Sequence, residues 1–208
     1  MRGTAFTKST LVLTLAATLW LIAIASGFAV LHRYESTPAP GGMPAANWPS
    51  ETPLVLEMGK LTLVLAVHPR CPCTEATVME VKNLLEAGAG RGTLNVLVFK
   101  PVIAADSWAS SRTVQALAAL VDAKIWTDEE GELAAHFGAE TSGTLLVFNP
   151  QGELLFAGGV TPVRGQVGPN GGISAVAAFL GGRVASTNTS PVFGCSLVSA
   201  PDGRGGVR

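Results

Sequence analysis

The sequence has little cysteine, little charge and few aromatic side chains. Only three of its 208 residues are cysteine, which is too few for a disulfide framework and leaves at least one thiol outside any intramolecular bridge. Lys and Arg number 14 against 15 Asp and Glu, so no basic excess favours nucleic-acid binding. The hydrophobic fraction of 48% is too high for a disordered chain. A mean hydropathy of +0.38 indicates that apolar residues are concentrated in one segment.

That apolar segment lies near the N-terminus. No residue from Ser9 to Leu31 is charged, and a helix of that length spans roughly 34 Å, enough to cross a hydrocarbon core of about 30 Å. Arg2 and Lys8 precede it, so we expect residues 1–33 to be a cytoplasmic stub and a single-pass inner-membrane anchor, with the rest of the chain in the periplasm or another extracytoplasmic space. The alternative is a signal peptide cleaved at the small residues 23–25.

The remaining chain divides by composition. Residues 34–53 contain Pro38, Pro40, Pro44, Pro49 and Pro53, a density that denies helices and sheet ladders and predicts an extended linker. Residues 54–183 are expected to form the folded domain. Residues 184–208 are expected to be a C-terminal extension that contains the third cysteine.

Within the domain, continuous apolar runs alternate with amphipathic stretches. The pattern predicts an α/β fold with a mixed sheet flanked by helices. The predicted strands are Leu61–Val67, Leu94–Phe99, Thr144–Phe148 and Glu153–Ala157, and the predicted helices are Thr74–Ala87, Ser107–Asp122, Glu130–Phe137 and Ile173–Leu180. The acidic run from Asp128 to Glu130 is predicted to be a solvated turn.

The first predicted strand ends at a cysteine-bearing turn, His68-Pro69-Arg70-Cys71-Pro72-Cys73, which leads into an amphipathic helix. Thiols at a helix N-terminus face unpaired backbone amides and the positive end of the helix dipole, which favour the reactive thiolate. The neighbouring Arg70 adds positive charge. A C-x-C pair at this position in an exported domain indicates redox chemistry, since free thiols outside the cytoplasm rarely persist without a role.

This turn and the later stretch TDEEGELAAHFGAETSGTLLVFNPQGELLFAGG resemble the thioredoxin-like superfamily, on the side of its membrane-anchored periplasmic thiol oxidoreductases and peroxiredoxins. The combination of HPRCPC, ETSGTLLVF, GGVTPVRGQ and SPVFGC resembles, more narrowly, the RedB-type proteins. The resemblance implies a thioredoxin-like fold and thiol–disulfide exchange with a protein or small thiol or disulfide substrate, without a cofactor.

The chain departs from the superfamily at three places. Its cysteines are spaced C-x-C rather than C-x-x-C, so either Cys71 or Cys73 can match the attacking cysteine, and Cys71 is preferred. The superfamily's cis-proline falls on Gly143, preceded by Ser142, which implies a substrate-aligning loop without its proline. His68 stands where the peroxiredoxin pattern has threonine, which argues against a peroxidase.

Cys195 lies far along the chain from the other two cysteines. Two hypotheses for its role remain open. It is either a resolving cysteine that forms a disulfide with Cys71 or Cys73, or a structural staple for the C-terminal extension. Arg164 is the only charged residue in the Gly-rich stretch from Gly158 to Gly172. It is a candidate for supporting the site by meeting an anionic group or the backbone of a partner near the cysteines.

Two other classes of function remain open. His68, Cys71, Cys73 and Cys195 form a soft-ligand set suited to Cu(I), so a copper-handling protein is the alternative. A redox-inactive binding module is the third class, and it predicts cysteines that do not react with thiol reagents.

Overall fold

A computed structural model of the protein describes residues 8–40, 42–88, 90–120 and 123–197. The chain divides into two compact units, Met1–Thr37 and Pro38–Arg208. The described part of the first is a single helix, α1, Lys8–Ser36. It is long and apolar enough to cross a membrane, with a mean hydropathy of 2.2 over its most apolar stretch. None of that stretch is buried, as in a membrane anchor or a signal sequence.

The second unit is built on a six-stranded mixed sheet. Its strands are β1 Leu61–Val67, β2 Gly92–Lys100, β3 Ala123–Glu129, β4 Leu145–Phe148, β5 Leu154–Gly158 and β6 Thr189–Ser190. Its α-helices are α2 Thr74–Ala87, α3 Arg112–Ala118, α4 Glu132–His136 and α5 Gly171–Leu180, and a short 3-10 helix, Asp106–Ala109, precedes α3. The strand order is β3-β2-β1-β4-β5-β6.

Strand β1 is central and is buried on both faces. It pairs in parallel with β2 and antiparallel with β4. Because side chains alternate along a strand, Leu63, Leu65 and Val67 join the core under α2, α3 and α5. Val64 and Ala66 join the core on the opposite face, together with Phe137 and other residues around α4. The predicted mixed sheet flanked by helices is therefore confirmed, and β1 and α2 have the predicted bounds.

The region after β2 differs from the prediction. The single helix expected over Ser107–Asp122 is instead the 3-10 helix followed by α3, and residues 121–122 lie outside the described part of the chain. The sequence pattern also does not predict the edge strand β3, because the residues of this strand are largely exposed and lack a buried apolar run. Asp128, predicted to be solvated, is 1% exposed. Its carboxylate accepts the amides of Leu133 and Ala134 at 2.7 and 3.1 Å, which begins α4.

The segment expected to be an extended linker lies on the folded unit. The amide of Ala39 donates to Val192, and the amide of Trp48 donates to Gly152. The Trp48 ring packs edge-on against Phe137 and Phe148, with centroid distances of 5.1 and 5.2 Å. The predicted extended linker of residues 34–53 is therefore held against the folded unit at Ala39 and Trp48. The proline-rich composition excluded helix there, but it left apolar side chains that cover the core.

Candidate active site

The turn between β1 and α2 holds two of the three cysteines at the carboxyl end of the central strand. The amide of Cys71 donates to the carbonyl of His68 at 3.0 Å, and the amide of Thr74 donates to the carbonyl of Cys71 at 3.1 Å. These bonds lead the chain into α2, and Cys73 is its N-cap residue. Cys71 is buried and Cys73 is half-buried. Both lie at the helix end where unpaired amides stabilise negative charge.

The loop before β4 packs directly against this turn. The amide of His68 donates to Oγ of Ser142 at 2.8 Å, and the same oxygen is 2.9 Å from Oγ1 of Thr74. Gly143 has a φ of 92°, and its amide donates to the carbonyl of Ala66 at 2.8 Å. A proline at position 143 has no amide hydrogen and loses this bond. No described residue has a cis peptide bond.

The segment that carries Cys195 is bound to the same loop. The amide of Ser142 donates to the carbonyl of Cys195 at 2.8 Å. Gly194 packs so tightly that a Cβ there meets the carbonyl oxygen of Ser142. Arg164 donates from Nη1 to the carbonyl of Gly194 at 2.7 Å. The described part of the C-terminal extension thus contributes a wall of the site.

These contacts bring two thiols together. The Sγ of Cys195 lies 3.1 Å from the Sγ of Cys71 and donates to it. That hydrogen bond is the largest of the influences that together lower the pKa of the Cys71 thiol from 9.0 to about 5, against the opposing effect of burial. The hydroxyl of Thr74 and the amides of Cys195 and Cys73 contribute the rest of this decrease. Cys71 is therefore the thiolate of the cluster at neutral pH.

The other two thiols are held in the protonated form. Donation to Cys71, together with burial, raises the pKa of Cys195. Burial and the negative charge of Cys71 raise the pKa of Cys73, and the guanidinium of Arg164 opposes both increases. Arg164 is thus a nearby cation that opposes the increase in the pKa of both Cys73 and Cys195.

An aromatic cluster surrounds His68. Its ring stacks on Phe99 at 5.4 Å and meets Trp108 edge-on at 5.3 Å between centroids. The ring nitrogen Nδ1 accepts the amide of Arg70 at 3.2 Å. Burial lowers the pKa of the His68 imidazole. The guanidinium of Arg70 lies 4.8 Å from the centroid of the Trp108 ring.

The copper alternative gains no support from this geometry. Among residues 8–40, 42–88, 90–120 and 123–197, no group of three or more His, Cys, Asp or Glu side chains is arranged to hold a metal ion. The Nδ1 atom of His68 is already occupied by a backbone amide.

Two residues that contact the site are not among those predicted from the sequence. Thr74 connects Ser142 to the Cys71 thiol, and its position directly after the second cysteine was an available signal. Trp108 contacts both His68 and Arg70. It comes from a different crossover, so no spacing in the sequence connects it to the cysteine turn.

Together the sheet order and the cysteine-bearing turn after the central strand define a thioredoxin-like fold. No protein-family model matches the chain, and no curated protein matches it. An uncharacterized conserved protein from Geobacillus kaustophilus is similar in structure, with a TM-score of 0.56, 17% identity, and coverage of 80% of this chain and 94% of that one.

Two other solved structures are similar. The hypothetical protein SMc02350 from Sinorhizobium meliloti 1021 has a TM-score of 0.55 at 17% identity, covering 78% of this chain and 96% of that one. The thioredoxin-like superfamily protein SPOA0173 has a TM-score of 0.40 at 19% identity, covering 71% and 98%. At these identities the likeness concerns the fold, and the function has to be argued from the cysteines.

Proposed function

We propose that the protein is a membrane-anchored, exported thiol–disulfide oxidoreductase of the RedB type, in which Cys71 is the nucleophile and Cys195 the resolving thiol. The observation that carries the proposal is the distance of 3.1 Å between the two sulfur atoms. A nucleophilic thiolate beside a protonated thiol is the arrangement that exchange with a disulfide needs.

The chemistry proceeds in two displacements. The Cys71 thiolate attacks one sulfur of a substrate disulfide, forms a mixed disulfide, and releases the other sulfur as a thiolate that takes a proton. The Cys195 thiol then loses its proton and attacks the Cys71 sulfur, which releases the second substrate thiol. Two electrons pass from the Cys71–Cys195 dithiol to the substrate disulfide, and the reverse sequence oxidises a substrate dithiol.

Cys73 is the competing resolving thiol. Its pKa is raised, as is that of Cys195, so both thiols are protonated while Cys71 is the thiolate. The short sulfur–sulfur contact favours Cys195, because Cys195 donates directly to the nucleophile. We assign Cys73 a supporting role through its backbone amide, which contributes to the low pKa of Cys71.

The loop of Ser142 and Gly143 is proposed to align the substrate. It contacts both the cysteine turn and the Cys195 segment through backbone hydrogen bonds. Because the amides of Ser142 and Gly143 are already bonded to Cys195 and Ala66, the loop would act by holding the two thiol-bearing segments in position for the substrate. His68 and Arg70 are proposed to hold the cysteine turn in place through their contacts with Trp108.

The N-terminal helix is proposed to be an anchor that keeps the domain at the outer face of the inner membrane. Its 29 residues exceed the apolar region of a signal peptide, which is about 7–15 residues long. Expression in a bacterial host tests this proposal: an uncleaved chain should stay in the membrane pellet after alkaline carbonate extraction. An intact mass that lacks the first 25 or so residues, in a soluble fraction, identifies a cleaved signal peptide instead.

Thiol trapping of the full chain in detergent tests the activity. The protein is equilibrated across a glutathione redox series, quenched with acid, alkylated, and read by intact mass and peptide mapping. We expect a reversible Cys71–Cys195 disulfide with a midpoint between about −120 and −270 mV. Cys73→Ser should keep this disulfide and Cys195→Ser should lose it.

Two results contradict the proposal. A Cys71–Cys73 disulfide in the wild type assigns the resolving role to Cys73. The absence of any reversible disulfide, with stoichiometric copper on the reduced protein, supports the metal-handling alternative.

A further inference from the structure

A cleft opens at the cysteine turn, with Cys71 in its lining and none of the described residues around Cys195. Its volume is about 290 Å³, close to the smallest of the pockets that hold small molecules. The cleft is lined by Pro69, Arg70, Cys71, Pro72, Glu75, Ser111, Arg112 and Thr113. The cysteine turn thus forms one wall, and the start of α3 forms the other.

The walls of the cleft carry more positive than negative charge. Arg70 and Arg112 both line it, against one carboxylate, that of Glu75. All three side chains are exposed, so each can meet a ligand that enters from solvent. Arg70 is held over the Trp108 ring. In the described part of the chain, Arg112 has no ion pair within 4.0 Å.

The position of the cleft matches the side of Cys71 that a substrate has to use. Cys71 is only 3% exposed, and it is one of the residues that line the cleft. Displacement at a disulfide sulfur is in line with the bond that breaks. When Cys195 attacks Cys71, the departing substrate sulfur therefore lies opposite Cys195. No residue of the Cys195 segment lines the cleft, so it is free for that substrate half.

We infer that this cleft binds the substrate half of the mixed disulfide, and that the preferred substrates are small disulfides whose halves carry carboxylates. The inference rests on the proposed exchange at Cys71. The carboxylate pairs with the guanidinium groups of Arg112 and Arg70, a geometry that arginine favours. The small volume and the buried thiol select against a disulfide that lies flush with the surface of a folded protein.

The covalent step is the first displacement described above. The Cys71 thiolate forms a bond to one substrate sulfur, the substrate S–S bond breaks, and the other half leaves as a carboxylate-bearing thiolate that takes a proton from water. Cys195 then releases the half bound in the cleft. The protein dithiol supplies both electrons, so no other reductant takes part.

Three small disulfides of different charge test the inference: oxidised glutathione, which is anionic; 2-hydroxyethyl disulfide, which is neutral; and cystamine, which is cationic. The reduced full chain in detergent is mixed with each, and the rate of oxidation is followed by acid quench and mass spectrometry. The readout is the ratio of each charged disulfide's rate constant to that of the neutral one. This ratio cancels any change in the pKa of Cys71.

Arg112→Gln is expected to lower the glutathione ratio about fivefold and to raise the cystamine ratio, because a single partly screened charge contributes about that much. Arg70→Gln is expected to act in the same direction, and Glu75→Gln in the opposite one. Arg112→Lys restores the charge and most of the ratio. Arg183→Gln, at an exposed arginine outside the cleft, is the matched control and leaves both ratios unchanged.

Two outcomes overturn the inference. If the Arg112→Gln and Arg70→Gln variants keep both ratios of the wild type, the cleft does not recognise charge, although exchange at Cys71 stands. If even the neutral disulfide fails to oxidise the wild-type protein, the proposed exchange fails, and the inference fails with it.

Discussion

The sulfur atoms of Cys71 and Cys195 lie 3.1 Å apart although 124 positions separate the two residues in the chain. The contact depends on the backbone, since the amide of Ser142 binds the carbonyl of Cys195 and its side chain binds the amide of His68. One loop therefore contacts both segments that supply the two thiols. The Cys195 segment is consequently part of the site.

Removal of the Cys195 thiol should raise the pKa of Cys71. The hydrogen bond from Cys195 is the largest influence that lowers this pKa to about 5. We expect Cys195→Ala, made in a Cys73→Ala background so that one thiol remains, to move the pKa of Cys71 toward its ordinary value near 9. Thiolate absorbance near 240 nm, or the pH profile of iodoacetamide alkylation, measures it.

The Cys73→Ala single variant is the control, since it keeps the backbone amide at position 73 and the Cys195 thiol. Its Cys71 should still titrate near pH 5. An unchanged pKa after removal of Cys195 means that the helix end and Thr74 are sufficient to stabilise the thiolate.

The stability of the reduced protein should depend on pH through Cys71. Its folded-state pKa of about 5 lies below the ordinary value of 9.0, so the folded protein binds fewer protons between these values. The stabilisation is complete above about pH 9 and is lost as the pH falls through 5. The difference in unfolding free energy between wild type and Cys71→Ser should therefore be larger at pH 8.5 than at pH 5.

Urea denaturation under a non-thiol reductant measures this difference, with full-length protein in the same detergent at each pH. The subtraction removes other titrating groups that the two proteins share. A difference that is constant from pH 8.5 to 5 contradicts a low pKa for Cys71 in the folded state.

Gly194→Ala should separate the two thiols without altering either. A Cβ at this position collides with the carbonyl oxygen of Ser142, and overpacking of this kind costs about 1–3 kcal/mol. We expect the Cys71–Cys195 disulfide to form about tenfold more slowly, as measured by quenched mass spectrometry. In Gly171→Ala, the control, the new Cβ lies 3.9 Å from the Thr187 methyl group and should leave the rate unchanged. Equal rates in the two variants would show that the segment docks without this close contact.

Ser142→Ala should destabilise the site by removing an acceptor. The buried amide of His68 donates to the Ser142 hydroxyl, and an unpaired buried amide costs about 1–3 kcal/mol. Chemical denaturation of the reduced protein measures the loss. Ser174→Ala, at an exposed helical position, serves as the control and should change the unfolding free energy by less than about 0.5 kcal/mol. Equal losses at both positions would mean that Ser142 has no special role.

The predictable parts of the fold were those with a strong local pattern. The run Leu61–Val67 is apolar at almost every position, as a strand buried on both faces must be, and the spacing of apolar residues in Thr74–Ala87 matches one helix face. Strand β3 had no such pattern, because an edge strand pairs through its backbone while most of its side chains stay exposed. The burial of Asp128 also has no local pattern, because it follows from the packing of α4 against the end of β3.

The sequence by itself determined the long apolar N-terminal helix, the central strand, and the cysteine-bearing turn into α2, because each depends on composition and spacing within a few residues. Only the tertiary structure decided that Cys195 donates to Cys71, and that Ala39 and Trp48 bond to the domain. Both depend on backbone hydrogen bonds between segments distant in the chain. Such bonds use groups that every residue carries, so no pattern of side chains reveals them.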